Sequence, residues 1–179
     1  MNNDIAKIMI TEEELRARIA ELGKEIAADY QGKTPIFVGI LKGGVTFFTD
    51  LARATPIFCE YDFMAISSYG AATVSSGVIK LIKDLSLDIE NRHVLIMDDI
   101  LDTGHTLHFV RDHLQKKNPA SLKICTLLDK PARRVADITP DYTGFVIPNE
   151  FVVGYGLDYQ ELYRNLPYIG ILNPEVYRG

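Results

Sequence analysis

The sequence predicts an α/β domain, with a central, mostly parallel sheet flanked by helices. Two observations predict it. Apolar runs at 35–40, 93–97 and 122–128 have the length and the Val/Ile/Leu content of strands buried on both faces. Two of them, 35–40 and 93–97, give way at once to a polar, glycine-containing turn and then to apolar residues at helical spacing. Strand, turn and helix in that order make βα units, and βα units make a parallel sheet.

The elements follow in order. Met1 to Ile10 reads as a short strand. Thr11-Glu12-Glu13-Glu14 has the form of a capping box with acids in the first helical turn. Leu15, Ile19, Leu22 and Ile26 then put one apolar stripe toward the core, and Gly32 ends the helix. After the run 35–40 come Leu41-Lys42-Gly43-Gly44 and a helix begun by Val45, Phe48 and Leu51. Ile57 to Ile66 is a long strand, and Val78 to Lys83 another. Between them, 67–77 holds two glycines and four serines with no core pattern. It reads as a hairpin loop or as a lid that closes over a site and excludes water. His93 to Met97 is the central strand. Leu107, Val110 and Leu114 form the stripe of the helix after it, which Asn118-Pro119 ends. Leu122 to Leu128 completes a βαβ unit. Tyr168 to Leu172 is a last strand.

The totals narrow the class. A chain of 179 residues can bury one real core and is short for two ordinary domains, so 1–179 reads as a single domain. Apolar content of 47% and charged content of 24% are those of an ordered globular protein. A net charge of −5, with no Lys/Arg-rich run, argues against a nucleic-acid surface. No apolar stretch approaches a membrane span, and no signal-peptide pattern opens the chain. Cys59 and Cys125 sit in apolar runs and read as free thiols in a reducing compartment. A cytoplasmic enzyme fits these totals.

Val94 to Thr106 is the most informative stretch. The apolar run stops at Asp98 and Asp99. After Ile100 and Leu101 come Asp102-Thr103-Gly104-His105-Thr106, and then the helix. Ligands of open α/β sheets bind outside the carboxyl ends of the strands. Two acids there make a cation or hydroxyl site. A Thr-Gly-x-Thr turn entering a helix offers hydroxyls and free N–H groups to a phosphate. Acids beside a phosphate cradle suit a sugar phosphate, with Mg²⁺ offsetting the charge. A solvated acidic turn would not need the glycine and hydroxyls beside the acids.

Leu41-Lys42-Gly43-Gly44 is a weaker signal. By itself it is a plain βα turn; paired with 98–106 it becomes a second anion loop, since glycines let a backbone approach an anion and Lys42 adds charge. A third strand ends in Asp129-Lys130-Pro131-Ala132-Arg133-Arg134. A lone lysine there is ordinarily solvated, yet it sits on the same ligand edge. Phe151-Val152-Val153 reads by composition as core.

Together these stretches resemble the type I phosphoribosyltransferases. The form Asp-Asp-Ile-Leu-Asp-Thr-Gly is close to their hypoxanthine-guanine branch, and the resemblance spans about residue 5 to residue 173. It implies the type I phosphoribosyltransferase fold, with a small hood built from the chain ends. It implies transfer of a phosphoribosyl group from phosphoribosyl pyrophosphate (PRPP) to a 6-oxopurine, in a homodimer or homotetramer. Asp98, Asp99, Thr103, Gly104, His105 and Thr106 would hold ribose 5-phosphate. Lys42, Gly43, Ser68, Tyr69 and Arg164 would hold pyrophosphate, with the Leu41–Lys42 peptide cis. Lys130 would donate to the 6-oxo group, since an ammonium reads a carbonyl and not an amine. Phe151 would stack on the base, and the Val152 backbone would read its edge. Asp158 would contact base or metal, Mg²⁺ would sit on Asp98, Asp99 and Asp158, and Asp102 would be the general base at N7. The chain departs from that branch at Asp98, where Glu is usual, and at His105, where Lys or Asn is frequent. A non-catalytic PRPP or nucleotide sensor on the same fold would have lost the base or the acids, and this chain keeps Asp99, Asp102, Lys130, Asp158 and Arg164. A dinucleotide domain would carry G-x-G-x-x-G after its first strand, and the motif is absent.

Overall fold

The apolar runs do form strands. A computed structural model describes residues 1–68 and 78–178 and not the Ser68 side chain. Of the loop or lid predicted over 67–77, Tyr69 and the residues up to 77 lie outside the described residues. The elements are β1 (Ile5–Ile10), α1 (Glu12–Asp29), β2 (Ile36–Leu41), α2 (Val45–Ala54), β3 (Glu60–Ser68) and β4 (Ile79–Lys83). They continue with β5 (His93–Leu101), α3 (His105–Gln115), β6 (Ser121–Asp129), β7 (Tyr142–Val146), β8 (Val152–Val153), β9 (Ile169–Leu172) and α4 (Pro174–Tyr177).

The main sheet has the order β4-β3-β2-β5-β6-β7 and is parallel except for β4. Its central strands alternate cleanly between two cores, as the twofold period of a strand requires. Phe37, Leu95, Met97, Cys125 and Leu127 pack with the stripes of α1 and α2 on one face. Ile36, Val38, Val94, Ile96 and Ile124 pack with Leu107, Val110 and Leu114 of α3 on the other. That is the helix-on-both-faces arrangement the apolar runs imply. The chain ends supply the hood, a three-stranded antiparallel sheet of order β1-β9-β8.

Local readings hold in most places. Thr11 Oγ1 accepts from Glu14 N–H at 3.2 Å and Glu14 Oε2 from Thr11 N–H at 2.8 Å, a complete capping box. Leu15, Ile19, Leu22 and Ile26 are all buried. Four readings need correcting. Gly32 takes a left-handed φ of 74°, but α1 has already stopped at Asp29. Val45 opens α2 on its exposed side, so Phe47, Phe48, Leu51 and Ala52 form the buried face. β3 begins at Glu60, and Ser67 and Ser68 extend it against Lys80 and Ile79 of β4 rather than starting a loop. Most consequential, β5 does not end at Met97. It stays paired with β6 through Leu101, which faces Asp129, so the two acids sit within the strand.

Candidate active site

β2 and β5 are neighbours, yet the chain leaves β2 toward β3 on one side and β5 toward β6 on the other. Loops that diverge in this way open a crevice at the carboxyl ends of the strands. Here it is a cavity of about 250 Å³. Leu41 and Gly43 line it from one loop; Asp98, Asp99, Asp102, Thr103, Gly104 and Thr106 line it from the other.

The acids are there because β5 runs on. Asp98 is only 7% exposed, and its Oδ1 accepts from Asp99 N–H at 2.9 Å. Burial, and then the charge of Asp99, lift its proton affinity well above that of an ordinary carboxyl. Burial lifts Asp99 as well, against the opposing charge of Arg164. Two such carboxyls resist joint ionisation and suit a cation or hydroxyl donors. The glycines of the first loop press directly on them. A Cβ on Gly43 would lie 2.0 Å from Asp99 Oδ2, and one on Gly44 would lie 2.7 Å from the Ile40 carbonyl oxygen. The Leu41–Lys42 peptide between them and β2 is cis.

The second loop is braced from below. Gly104 has φ 90°, and a Cβ on it would meet Ile138 Cγ2 at 2.7 Å. It caps α3 without a side chain, which leaves the first-turn N–H groups to a ligand or water. The Thr103 carbonyl accepts from Val135 and Ala136 N–H at 2.9 and 3.0 Å. Arg134, ion-paired with Asp129, donates to the Asp102 carbonyl at 3.1 Å and to that of Ile138 at 2.7 Å. Sequence reading took only Lys130 from this basic run. Arg134 proves to be the strut under the turn, which depends on a contact across 32 positions.

Asp102 Oδ1 is buried and accepts no hydrogen bond among the described residues. Arg133 Nε is 2.8 Å away, near enough for an ion pair but not aligned to donate. Lys130 is 6% exposed, and burial pulls its proton affinity down, with Asp102 opposing. It is therefore not the solvated lysine of the plain reading. His105 stands apart. It lines a neighbouring depression with His108 and Phe109 and is not among the residues that line the cleft.

The hood brings the last set. Gly156, at φ 100°, lies against the first loop, where a Cβ would be 2.2 Å from the Gly43 carbonyl oxygen. Arg164 Nη1 donates to the Gly156 carbonyl at 2.8 Å, and its Nη2 lies 3.2 Å from Asp158 Oδ1. Lys42 Nζ donates to Glu161 at 2.9 Å. Phe151 is 39% exposed and stacks on Tyr177, with ring centroids 4.9 Å apart; Val152 is buried in β8. Among the described residues no group of three or more acids, histidines or cysteines could hold a metal ion, so Asp158 does not join Asp98 and Asp99 in a cage. Glu161 was not singled out from the sequence; an acid in a polar segment carries no signal until the turn is seen.

A switch-point cleft with paired acids and a phosphate-shaped turn defines a sugar-phosphate class of site. Residues 9–160 match the phosphoribosyl transferase domain, and the chain belongs to that family. It is 52% identical to the hypoxanthine-guanine phosphoribosyltransferase of Streptococcus pneumoniae, over 99% of this chain and 98% of that protein. For the enzyme of the same name from Bacillus subtilis the identity is 50%, over 100% and 99%. It is also 55% identical to the bifunctional protein TilS/HprT of Listeria monocytogenes, of whose length it spans 27%. A crystal structure of a hypoxanthine phosphoribosyltransferase from Staphylococcus aureus superposes with a TM-score of 0.95 at 53% identity, covering 99% of this chain and 96% of that one. No helix among the described residues is long and apolar enough to cross a membrane.

Proposed function

We propose that this chain is a purine salvage enzyme that transfers the 5-phosphoribosyl group of PRPP to N9 of hypoxanthine or guanine, forming IMP or GMP and releasing pyrophosphate. One observation carries the reading. Two acids and a glycine-built phosphate turn line one cleft, with Lys42 on the loop beside it and Arg164 on the hood segment packed against that loop, in a chain at least 50% identical throughout to enzymes of that name.

In the reaction N9 bonds to the ribose C1, the C1–O bond breaks, and the electron pair leaves with pyrophosphate. Positive charge grows on the ribose ring as negative charge grows on the leaving group. Asp98 and Asp99 accept hydrogen bonds from the ribose hydroxyls. The Thr103–Thr106 turn, His105 included, takes the 5-phosphate through hydroxyls and N–H groups. Lys42, the amides around Gly43, and Arg164 meet the pyrophosphate, with Ser68 and Tyr69 completing that side. The purine loses its N7 proton to Asp102, which lines the cleft and whose side chain is about a third exposed. Lys130 donates to the 6-oxo group, Phe151 packs on the ring, and Val152 and Asp158 read its far edge.

A magnesium ion fits the donor set. Asp98 and Asp99 are hard oxygen ligands whose joint ionisation a cation would relieve, and two carboxylates plus substrate oxygens are what Mg²⁺ ordinarily takes. Bound there, the ion would neutralise charge on the pyrophosphate. On this reading 1–179 is one domain, acting in the cytoplasm as a homodimer or homotetramer on small-molecule substrates.

The test is an initial-rate assay with PRPP and Mg²⁺, offering hypoxanthine, guanine, xanthine and adenine in turn. Nucleotide formation from the oxopurines and not from adenine, abolished by EDTA, is the expected result. Binding of PRPP with no turnover of any base would replace the enzyme by a sensor on the same fold.

A further inference from the structure

Glu161 occupies an unusual place. Its Oε2 is shared by Lys42 Nζ at 2.9 Å and Arg164 Nη2 at 3.4 Å. The first cation comes from the loop after β2, the second from the hood, 122 positions later by number. A single oxygen held between two cations from facing segments is what a phosphoryl oxygen would be in the same cleft.

The local fold presents Glu161 there. Tyr159 and Leu162 exchange backbone hydrogen bonds of 3.2 and 3.0 Å, closing a tight turn. Asp158 Oδ2 accepts from Glu161 N–H at 2.8 Å and ties the tip back. Gln160, Glu161 and Tyr163 all take left-handed φ values, 51°, 66° and 77°. Side chains with a Cβ adopt this region rarely, so the turn is specified and not a default. The hydrogen bonds from Lys42 and then Arg164 hold the Glu161 carboxyl below the usual range, so at neutral pH it is an anion. An ordinary surface ion pair would join one cation to one acid and face solvent. This one joins the loop after β2 to the hood, and both side chains are accessible to a ligand, 70% exposed for Lys42 and 64% for Glu161.

We infer that Glu161 is an internal stand-in for pyrophosphate: it holds Lys42 and Arg164 together in the free protein, yields them to the pyrophosphate of PRPP, and competes to expel the product. The inference rests on the reading of those two cations as pyrophosphate ligands. It makes Glu161 a competitor for them, so its charge weakens pyrophosphate binding.

The experiment is titration calorimetry of the full chain with inorganic pyrophosphate in excess Mg²⁺, on the wild type, Glu161→Gln, Lys42→Met and the double variant. Glutamine keeps the size and an accepting oxygen and removes the charge. Glu161→Gln is expected to bind pyrophosphate about threefold to tenfold more tightly, the scale of one or two exposed ion pairs released. The KM for PRPP should fall in step, with the KM for the purine unchanged. In the Lys42→Met background most of that gain should vanish. Unchanged or weaker pyrophosphate binding by Glu161→Gln, with the same melting temperature as the wild type, overturns the inference and leaves the cation reading standing. Equal binding by the wild type and Lys42→Met removes the cation reading and the inference with it.

Discussion

On the proposed reading the turn after β5 and the hood segment 154–164 serve the same substrate by opposite means. The first is built into the sheet. Its acids lie in a strand still paired with β6, its glycine at 104 is wedged against Ile138, and Arg134 braces it through three carbonyl and carboxylate contacts. The second is a short turn held by ion pairs among Lys42, Asp158, Glu161 and Arg164, of which Lys42 and Glu161 are largely exposed. Packing makes one region ligand-shaped before binding. Charge makes the other exchangeable. Changes to the first should therefore cost rate or stability, and changes to the second should mostly retune affinity.

The largest effect is expected at the stiff region's acceptor. Asp102→Asn should lower kcat by about 10²–10⁴-fold, the usual worth of a positioned general base, while PRPP binding by calorimetry stays within about threefold. Equal turnover would take Asp102 out of the chemistry. Next comes the wedge. Gly104→Ala adds a Cβ 2.7 Å from Ile138 at a φ of 90°, and should cost roughly 2–4 kcal/mol in urea unfolding, with PRPP binding weakened as well. A neutral result there would mean that the turn is no stiffer than the hood.

Lys130 sharpens the comparison from a third side. Lys130→Met should raise the KM for hypoxanthine about tenfold to a hundredfold, the worth of a charged hydrogen bond, and leave the KM for PRPP alone. Its lowered proton affinity gives a pH signature. A folded-state value below the unfolded one near 10.4 means that the buried ammonium costs stability at neutral pH. That cost is full below the folded value and disappears as pH rises through the unfolded one. The pH profile of kcat/KM for the purine should lose its alkaline limb below the range of a solvated lysine. The smallest effect is at Asp98. Asp98→Asn removes one of two crowded carboxyls and should raise stability at pH 7 by about 1 kcal/mol in thermal unfolding, while weakening PRPP. A loss of stability instead would show that Asp98 is paid for by contacts already in place.

How much of this could be read without coordinates depends on the range of the interactions involved. The alternating cores, the capping box at Thr11 and the two strand–glycine–helix junctions follow from spacing and residue type, because strand period, helix period and cap geometry are local. The positions of Asp98, Asp99, Asp102 and Lys130 at one sheet edge followed for the same reason. The end of β5 did not, since pairing with β6 carried it past two acids that a local rule would make a boundary. Nor did the absence of His105 from the cleft lining, which turns on the phase of α3.

What the chain by itself determined was therefore the sheet, its helices and the chemical types at the crevice. What only the tertiary structure decided was contact between distant segments: Arg134 under the Asp102 turn, Gly156 on Gly43, and Glu161 between Lys42 and Arg164. Arg134 and Asp102 are 32 positions apart and Lys42 and Glu161 are 119, and no periodicity spans such gaps. They are set by where the hood and the loop after β6 come to rest on the sheet, and that is a matter of packing rather than of pattern.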